Sequence, residues 1–152
     1  MQLYFANDFQ VDDGVDDPTM DWAAYTDSFT NEMHERPTIA EWVDETAKEV
    51  LAKQPKKVVE MGCGKGMILF KVAAAECVEE YVGCDLSRLA VKHVERVWKS
   101  HIAPPGSGSR NEATRLETHV RDASNFGGLG DEKYDAIICN GVSMYFPSAS
   151  CE

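Results

Sequence analysis

The chain has 152 residues, of which 43% are hydrophobic and 27% charged, so it suits one globular domain rather than two domains or a disordered tail. Its net charge of −11 lies entirely in residues 1–47, which carry twelve acidic residues and one base, whereas residues 48–152 carry fourteen of each. No basic stripe is present to neutralise phosphates, and no run reaches the roughly 18–20 apolar residues of a membrane helix, so nucleic acid and membrane are not expected partners.

The five cysteines are an odd number and lack C-x-x-C spacing, which argues against a disulfide framework and against a metal site. The N-terminus has no basic residue and no long apolar run, so no secretory signal is expected. We therefore predict a reducing, cytoplasmic location.

The first part of the chain is acidic: residues 6–21 carry six aspartates, which predicts a solvated loop. A Ca²⁺ site is the alternative, although residues 12–16 lack the spacing of an EF-hand. We divide the chain into an acidic N-terminal segment, residues 1–36, which includes a possible lid, and a ligand-binding domain, residues 37–152.

A helix is predicted over residues 38–53, because apolar residues recur there at three- and four-residue spacing. Thr38 and Glu41 have the spacing of a capping box, with Pro37 just outside the helix. Pro55 ends the helix, since proline disfavours helical backbone in the residue before it.

The following segments alternate between strand and helix, which predicts an α/β fold with a parallel sheet. Ser87 is expected to cap the third helix, and residues 103–112 to form a polar loop. The expected elements are strand 58–61, helix 67–75, strand 81–84, a helix from Ser87 to about residue 101, strand 116–120 and strand 134–139.

A glycine-rich turn, Gly62–Gly66, connects the first strand to the next helix and follows Glu60. Glycines allow a tight turn and close approach of a ligand to the backbone, and the helix N-terminus adds free N–H groups. The dinucleotide pattern G-x-G-x-x-G would need glycine where the chain has Met67, so a nicotinamide-binding domain is disfavoured. No P-loop pattern is present either.

Glu60–Gly66 resembles the first motif of class I S-adenosylmethionine (SAM)-dependent methyltransferases. The resemblance implies a Rossmann-like three-layer sandwich with strand order 3-2-1-4 and SAM as cofactor. Asp85 would accept hydrogen bonds from the ribose hydroxyls, the glycine turn would contact the methionine part, and Asp122 would meet the adenine amino group. The expected cofactor-binding residues are Tyr25, Glu60, Gly62, Cys63, Gly64, Gly66, Asp85, Leu86, Asp122, Ala123 and Asn140.

The resemblance covers about residues 22–148 and includes segments similar to methyltransferase domains of nonribosomal peptide and polyketide synthetases. Residues 134–148 are similar to that family's segment ending N-S-V-x-Q-Y-F-P-S, although Met144 replaces the glutamine. Residues 22–26 and 41–44 resemble its W-x-S-x-Y-T and E-W-V segments. This likeness implies methyl transfer to a small molecule or a carrier-bound intermediate, and it identifies no catalytic residue.

Several of these residues have a simpler interpretation. Asp122 is also suited to cap a helix, Tyr25 to pack on the core rather than act as a lid, and Asn140 to end a strand through bonds to its own backbone. Cys63 is not expected to be a nucleophile, because methyl transfer of this type needs none.

Family members usually have a seven-stranded sheet, whereas this sequence predicts four strands, so we expect a fold truncated after the fourth strand. By this resemblance, residues 37–152 would be the incomplete N-terminal half of a SAM-binding methyltransferase domain. The fourth strand would form an exposed edge through which a homodimer could assemble. Two hypotheses remain open: a methyltransferase, and a non-catalytic remnant that binds the cofactor weakly or acts only as an interaction module.

Overall fold

The computed structural model describes residues 17–22, 25, 27, 29–125, 127, 129 and 133–143. The helices and strands alternate as the sequence predicts. In chain order they are α1 (Arg36–Leu51), β1 (Lys57–Met61), α2 (Met67–Ala73), β2 (Glu80–Asp85), α3 (Arg88–Val97), a π-helical turn (Trp98–Ile102), a 3₁₀ turn (Arg110–Ala113), β3 (Arg115–Val120) and β4 (Ala136–Ile138).

The four strands form one parallel sheet in the order β3-β2-β1-β4, which confirms the predicted order. Val59 of β1 is in register with Val82 of β2 on one side and with Ile137 of β4 on the other. Because all strands are parallel, their carboxyl ends lie at one edge of the sheet, where ligands bind in folds of this class.

The two faces of the sheet are covered differently. Val58 and Tyr81 belong to a large core cluster on the first face, together with apolar residues of α1, α2 and α3. Val59 and Val82, which follow them along the strands, belong to a smaller cluster on the second face. The residues that pack against the smaller cluster come from the connection between β3 and β4: Ala123, Leu129 and Tyr134.

The beginning of α1 differs from the prediction. The helix begins at Arg36, after an N-cap Glu35 whose side chain makes no capping bond, so the predicted capping box of Thr38 and Glu41 is wrong. Pro37 lies inside the first turn, where its missing N–H removes no helical hydrogen bond. The Ser87 cap of α3 is confirmed, because its hydroxyl accepts a 3.2 Å bond from the Ala90 N–H.

The edge strand β4 is shorter than predicted and covers three residues rather than six. The Asp135 carboxylate accepts bonds of 2.9 Å from the backbone N–H groups of Lys56 and Lys57, so a side chain anchors β4 beside the beginning of β1. The side chain of Ile137 is 65% exposed, as expected for an edge strand.

The N-terminal segment is only partly the solvated loop that its composition predicts. Residues 1–16, which include the alternative Ca²⁺ site, lie outside the described residues. Met20 is buried in the first-face core and Asp21 is 6% exposed, so these two residues contradict the prediction. The division at residues 36 and 37 stays a prediction. In the described part of the chain, no helix has the length and apolar character needed to cross a bilayer.

Candidate functional site

The glycine-rich turn folds back over the end of β2. The backbone N–H groups of Gly62 and Cys63 both donate to the carbonyl oxygen of Cys84, at 2.7 and 2.9 Å. Gly62, Gly64 and Gly66 have φ values of 80°, 52° and 88°, which residues with a side chain rarely adopt. Glycine at alternate positions is therefore what allows the chain to reverse here and to begin α2.

The three glycines differ in the space around them. A Cβ on Gly62 would lie 2.2 Å from Cγ2 of Val142, and one on Gly66 would lie 2.9 Å from Cγ2 of Val94. A Cβ on Gly64 would have no neighbour within 4 Å. Gly62 and Gly66 are therefore needed for packing, whereas Gly64 presents backbone to an open space that a ligand can enter.

Asp85 joins the turn to the beginning of α3. Its Oδ2 accepts a 2.8 Å bond from the Gly64 N–H, and its Oδ1 accepts a 2.7 Å bond from the Ser87 N–H. Burial raises the pKa of this carboxyl, and the two backbone bonds oppose the rise. A carboxylate oxygen accepts more than one hydrogen bond, so Asp85 retains acceptor capacity for the hydroxyls of a ligand.

Glu60 is buried beneath the turn, with 3% of its surface exposed, and accepts a 2.8 Å bond from the Tyr81 hydroxyl. Burial raises the pKa of Glu60 to about 7, despite the Tyr81 bond, and the nearby Asp85 charge adds to the rise. Cys63 is also buried, and burial followed by the Glu60 charge raises the pKa of its thiol well above the ordinary value. A protonated, buried thiol agrees with the interpretation that Cys63 is not a nucleophile.

The remaining predicted residues follow the strands at the same edge. Leu86 is 55% exposed directly after Asp85, and Asn140 is half-buried after β4. Asp122 is exposed, and its carboxylate accepts a 2.8 Å bond from the Ser124 N–H, so it closes a short turn rather than capping a helix in the described residues. Ala123 packs against the second-face cluster.

Tyr25 packs against the first-face core, and its ring lies 5.7 Å from that of Trp42 between centroids. Burial raises the pKa of Tyr25 to about 12, with contributions from the charges of Glu60 and Asp21. These contacts support the core-packing interpretation. The lid role stays a prediction.

Sequence reasoning missed an ion pair at the turn. Lys65, between Gly64 and Gly66, pairs with Asp21 of the N-terminal segment, and both side chains are buried. It also missed His93, which is buried with its Nε2 2.9 Å from the Pro18 carbonyl oxygen. In both contacts the two residues lie far apart in sequence, so no local pattern predicts them. The one local sign is Lys65 itself, a charged residue between two glycines of the turn.

Comparisons with known proteins agree on one family. A family model described as a methyltransferase domain matches residues 32–150. A nonribosomal peptide synthetase of Curvularia clavata is 31% identical over 84% of this chain, and a beauvericin nonribosomal cyclodepsipeptide synthetase of Gibberella fujikuroi is 30% identical over 97%. The chain spans 1% and 4% of the lengths of these two synthetases.

The fold is similar to that of a solved magnesium protoporphyrin IX methyltransferase of Synechocystis PCC 6803 with bound SAM. The TM-score is 0.57 at 23% sequence identity. The match covers 74% of this chain and 49% of that protein, so the chain spans about half the length of that structure.

Proposed function

Because this chain belongs to the methyltransferase-domain family, we propose that it binds SAM at the Gly62–Gly66 turn and Asp85 and is the cofactor-binding part of a SAM-dependent methyltransferase. The observation that carries the proposal is the bond from the Gly64 N–H to Asp85 Oδ2, which holds a carboxylate beside an open backbone position. When bound, SAM supplies an electrophilic methyl group on a sulfonium.

The residues at the site fit such a ligand. Asp85 offers two acceptor oxygens for two vicinal hydroxyls, and Gly64 leaves room above the turn. The polarity at the beginning of α2 favours a carboxylate such as that of a methionine moiety. The chain's own contribution is to bind and orient, which is how positioning accelerates a displacement reaction.

We extend the proposal to the methyl acceptor, which we expect to be a small molecule or an intermediate bound to a carrier. Support comes from the relatives, which are peptide synthetases by name. None of the described residues at the strand ends is assigned the role of a catalytic base.

The test is calorimetric titration of the chain with SAM and with SAH, its demethylated product, for the parent protein and for Asp85→Asn. Loss of the charge-assisted acceptor is expected to weaken binding of both ligands by about 1–3 kcal/mol. The absence of binding of either ligand to the parent chain at millimolar concentration would refute the proposal.

Asp135→Asn is a matched control. Asp135 also accepts two backbone N–H bonds, but it lies directly before β4. It is therefore at the amino ends of the parallel strands, whereas the candidate site is at their carboxyl ends. The variant is expected to leave both affinities unchanged. Equal losses in the two variants would instead indicate a general effect of removing a carboxylate.

We further propose that a second copy of the chain pairs with β4, which lies at one side of the described sheet. Ile137 is 65% exposed there, beside the buried Val59 on the neighbouring strand. Solution mass by light scattering tests the pairing, and a monomer at all concentrations would contradict it. The alternative to the catalytic proposal is a non-catalytic remnant that binds the cofactor weakly or acts only as an interaction module. Methyl transfer to any acceptor would contradict the non-catalytic alternative.

A further inference from the structure

The lysine of the glycine turn forms an ion pair with a residue that lies outside the turn. Lys65 is flanked by Gly64 and Gly66, and its Nζ pairs with the carboxylate of Asp21, which lies 44 positions earlier in the chain. The two side chains are only 7% and 6% exposed. A buried pair is screened little by salt, so its charges act on neighbouring groups more strongly than surface charges do.

The position of Asp21 is set by its own segment. Residues 17–22, which we call the N-terminal strap, are held by Met20 in the first-face core and by the contact between the Pro18 carbonyl oxygen and His93 of α3. Trp22 also packs against this core. The strap therefore brings a fixed negative charge to the turn.

This charge matters because of the balance at the turn. Asp85 and Glu60 are acidic, and Lys65 is the basic residue within the turn itself. With Asp21 in place, Lys65 is ion-paired, so the pair adds no net charge to the turn that carries Gly64. Replacing Asp21 by a neutral residue would remove one compensating negative charge, and the lysine would then oppose a cationic ligand at the turn more strongly.

We propose that Asp21 is a specificity-determining residue, which cancels the charge of Lys65 and so keeps the site receptive to a cationic sulfonium ligand relative to its neutral thioether counterpart. The inference rests on the proposed function, since it concerns the ligands of that same site. SAM and SAH differ by one methyl group and one positive charge, so the ratio of their affinities measures the response of the site to that charge.

A purely structural clamp would behave differently. If the pair only held the strap against the turn, breaking it would weaken SAM and SAH by the same factor and leave the ratio unchanged. A charge effect changes the ratio, and changes it in opposite directions when either partner is removed.

The experiment measures both affinities by calorimetry for the parent, Asp21→Asn, Lys65→Met and the double variant. Asp21→Asn is expected to lower the ratio of SAM to SAH affinity about tenfold, which corresponds to about 1.4 kcal/mol. Lys65→Met is expected to raise the ratio, and the double variant to restore the parent ratio to within about threefold.

Two measurements keep the result interpretable. Thermal unfolding without ligand shows which variants fold; if Asp21→Asn does not fold, the ratios of Lys65→Met and of the double variant decide the matter. The matched control is Asp44→Asn, which makes the same charge change in the more exposed pair that Asp44 of α1 forms with Lys71 of α2. It is expected to leave the ratio unchanged.

An unchanged ratio in every folded variant, or an equal shift in Asp44→Asn, would overturn this proposal while the proposed function stands, because the parent chain would still bind both ligands. A parent chain that binds neither ligand would refute the proposed function and this inference with it.

Discussion

The two faces of the sheet differ in how they support the site. On the first face, side chains from three helices cover the strands, and Leu69, Val58 and Tyr81 are fully buried. Among the residues that the structure describes, the apolar cluster on the second face is small, and Ile137 of the edge strand is 65% exposed. The glycine turn rests on the first face, because Leu69 and Cys63 pack against Gly83 of β2. The glycine turn of the candidate site therefore packs on the better-covered face of the sheet.

The largest expected effect tests this comparison directly. Leu69→Ala removes a fully buried side chain from the first face and should lower the free energy of unfolding by about 2–5 kcal/mol. Ile137→Ala on the second face, at an exposed edge, should lower it by about 0.5 kcal/mol or less. Urea denaturation monitored by tryptophan fluorescence measures both. Similar losses would show that the second face is covered as well as the first.

The second prediction concerns the pH dependence that Glu60 introduces on the first face. Its pKa is raised from 4.5 to about 7 in the folded protein, so the folded state holds the proton over a window in which the unfolded chain releases it. The stabilisation is complete below pH 4.5 and is lost as the pH rises to about 7. By linkage it amounts to roughly 3 kcal/mol.

Glu60→Gln removes this titration and keeps an acceptor for the Tyr81 hydroxyl. The variant should therefore gain stability relative to the parent between pH 4.5 and pH 7.5, measured as the difference between two urea unfolding curves at each pH. For Asp135→Asn, the pH dependence of the stability difference should have the opposite sign. Bonds from the backbone of Lys57 and Lys56 lower the pKa of Asp135, so its stabilising contribution is lost as the pH falls. If the stability difference between Glu60→Gln and the parent did not change with pH, the raised pKa of Glu60 would be contradicted.

Features carried by neighbouring residues could be predicted from the sequence, whereas a contact between distant residues could not. The strand order and the position of Asp85 at the end of β2 could be predicted from the alternation of strands and helices and from the family resemblance. Both signals consist of residues that are near one another in sequence. The Asp21–Lys65 pair was missed, because composition marks an acidic segment as solvated and contains no information on a distant partner. The capping box is wrong for a local reason: the helix begins at Arg36, with Pro37 in its first turn, so Thr38 lies inside the helix and not at its N-cap.

The third prediction separates packing from access within the glycine turn. Gly62→Ala should lower the free energy of unfolding by about 1–3 kcal/mol or more, because its positive φ is strained for alanine and its Cβ would meet Val142 at 2.2 Å. Gly64→Ala should cost about 1 kcal/mol, from φ alone, since no atom lies within 4 Å of its Cβ.

Ligand binding should reverse the order of these two variants once each is measured at a temperature where it is folded. The Cβ of Gly64→Ala enters the open space assigned to the ligand, so SAM affinity should fall about tenfold or more, as read by calorimetry. Gly62→Ala should bind more nearly like the parent. The same affinity for Gly64→Ala and the parent would place the ligand elsewhere.

The smallest effect is expected at Asp122, on the exposed side of the strand ends. Its carboxylate accepts bonds from the backbone N–H and the hydroxyl of Ser124, at 2.8 and 2.6 Å, and these bonds lower its pKa. Because the group is solvent-exposed, Asp122→Asn should change the free energy of unfolding by less than about 0.5 kcal/mol.

If Asp122 contacts the adenine amino group, SAM and SAH affinities should both fall a few-fold, less than in Asp85→Asn, since solvent competes for the bond. Adenosine, titrated alone, should lose affinity by the same factor, because it carries the same adenine. Unchanged binding of all three ligands would remove Asp122 from the expected cofactor-binding residues and leave the proposal for Asp85 and the glycine turn unaffected.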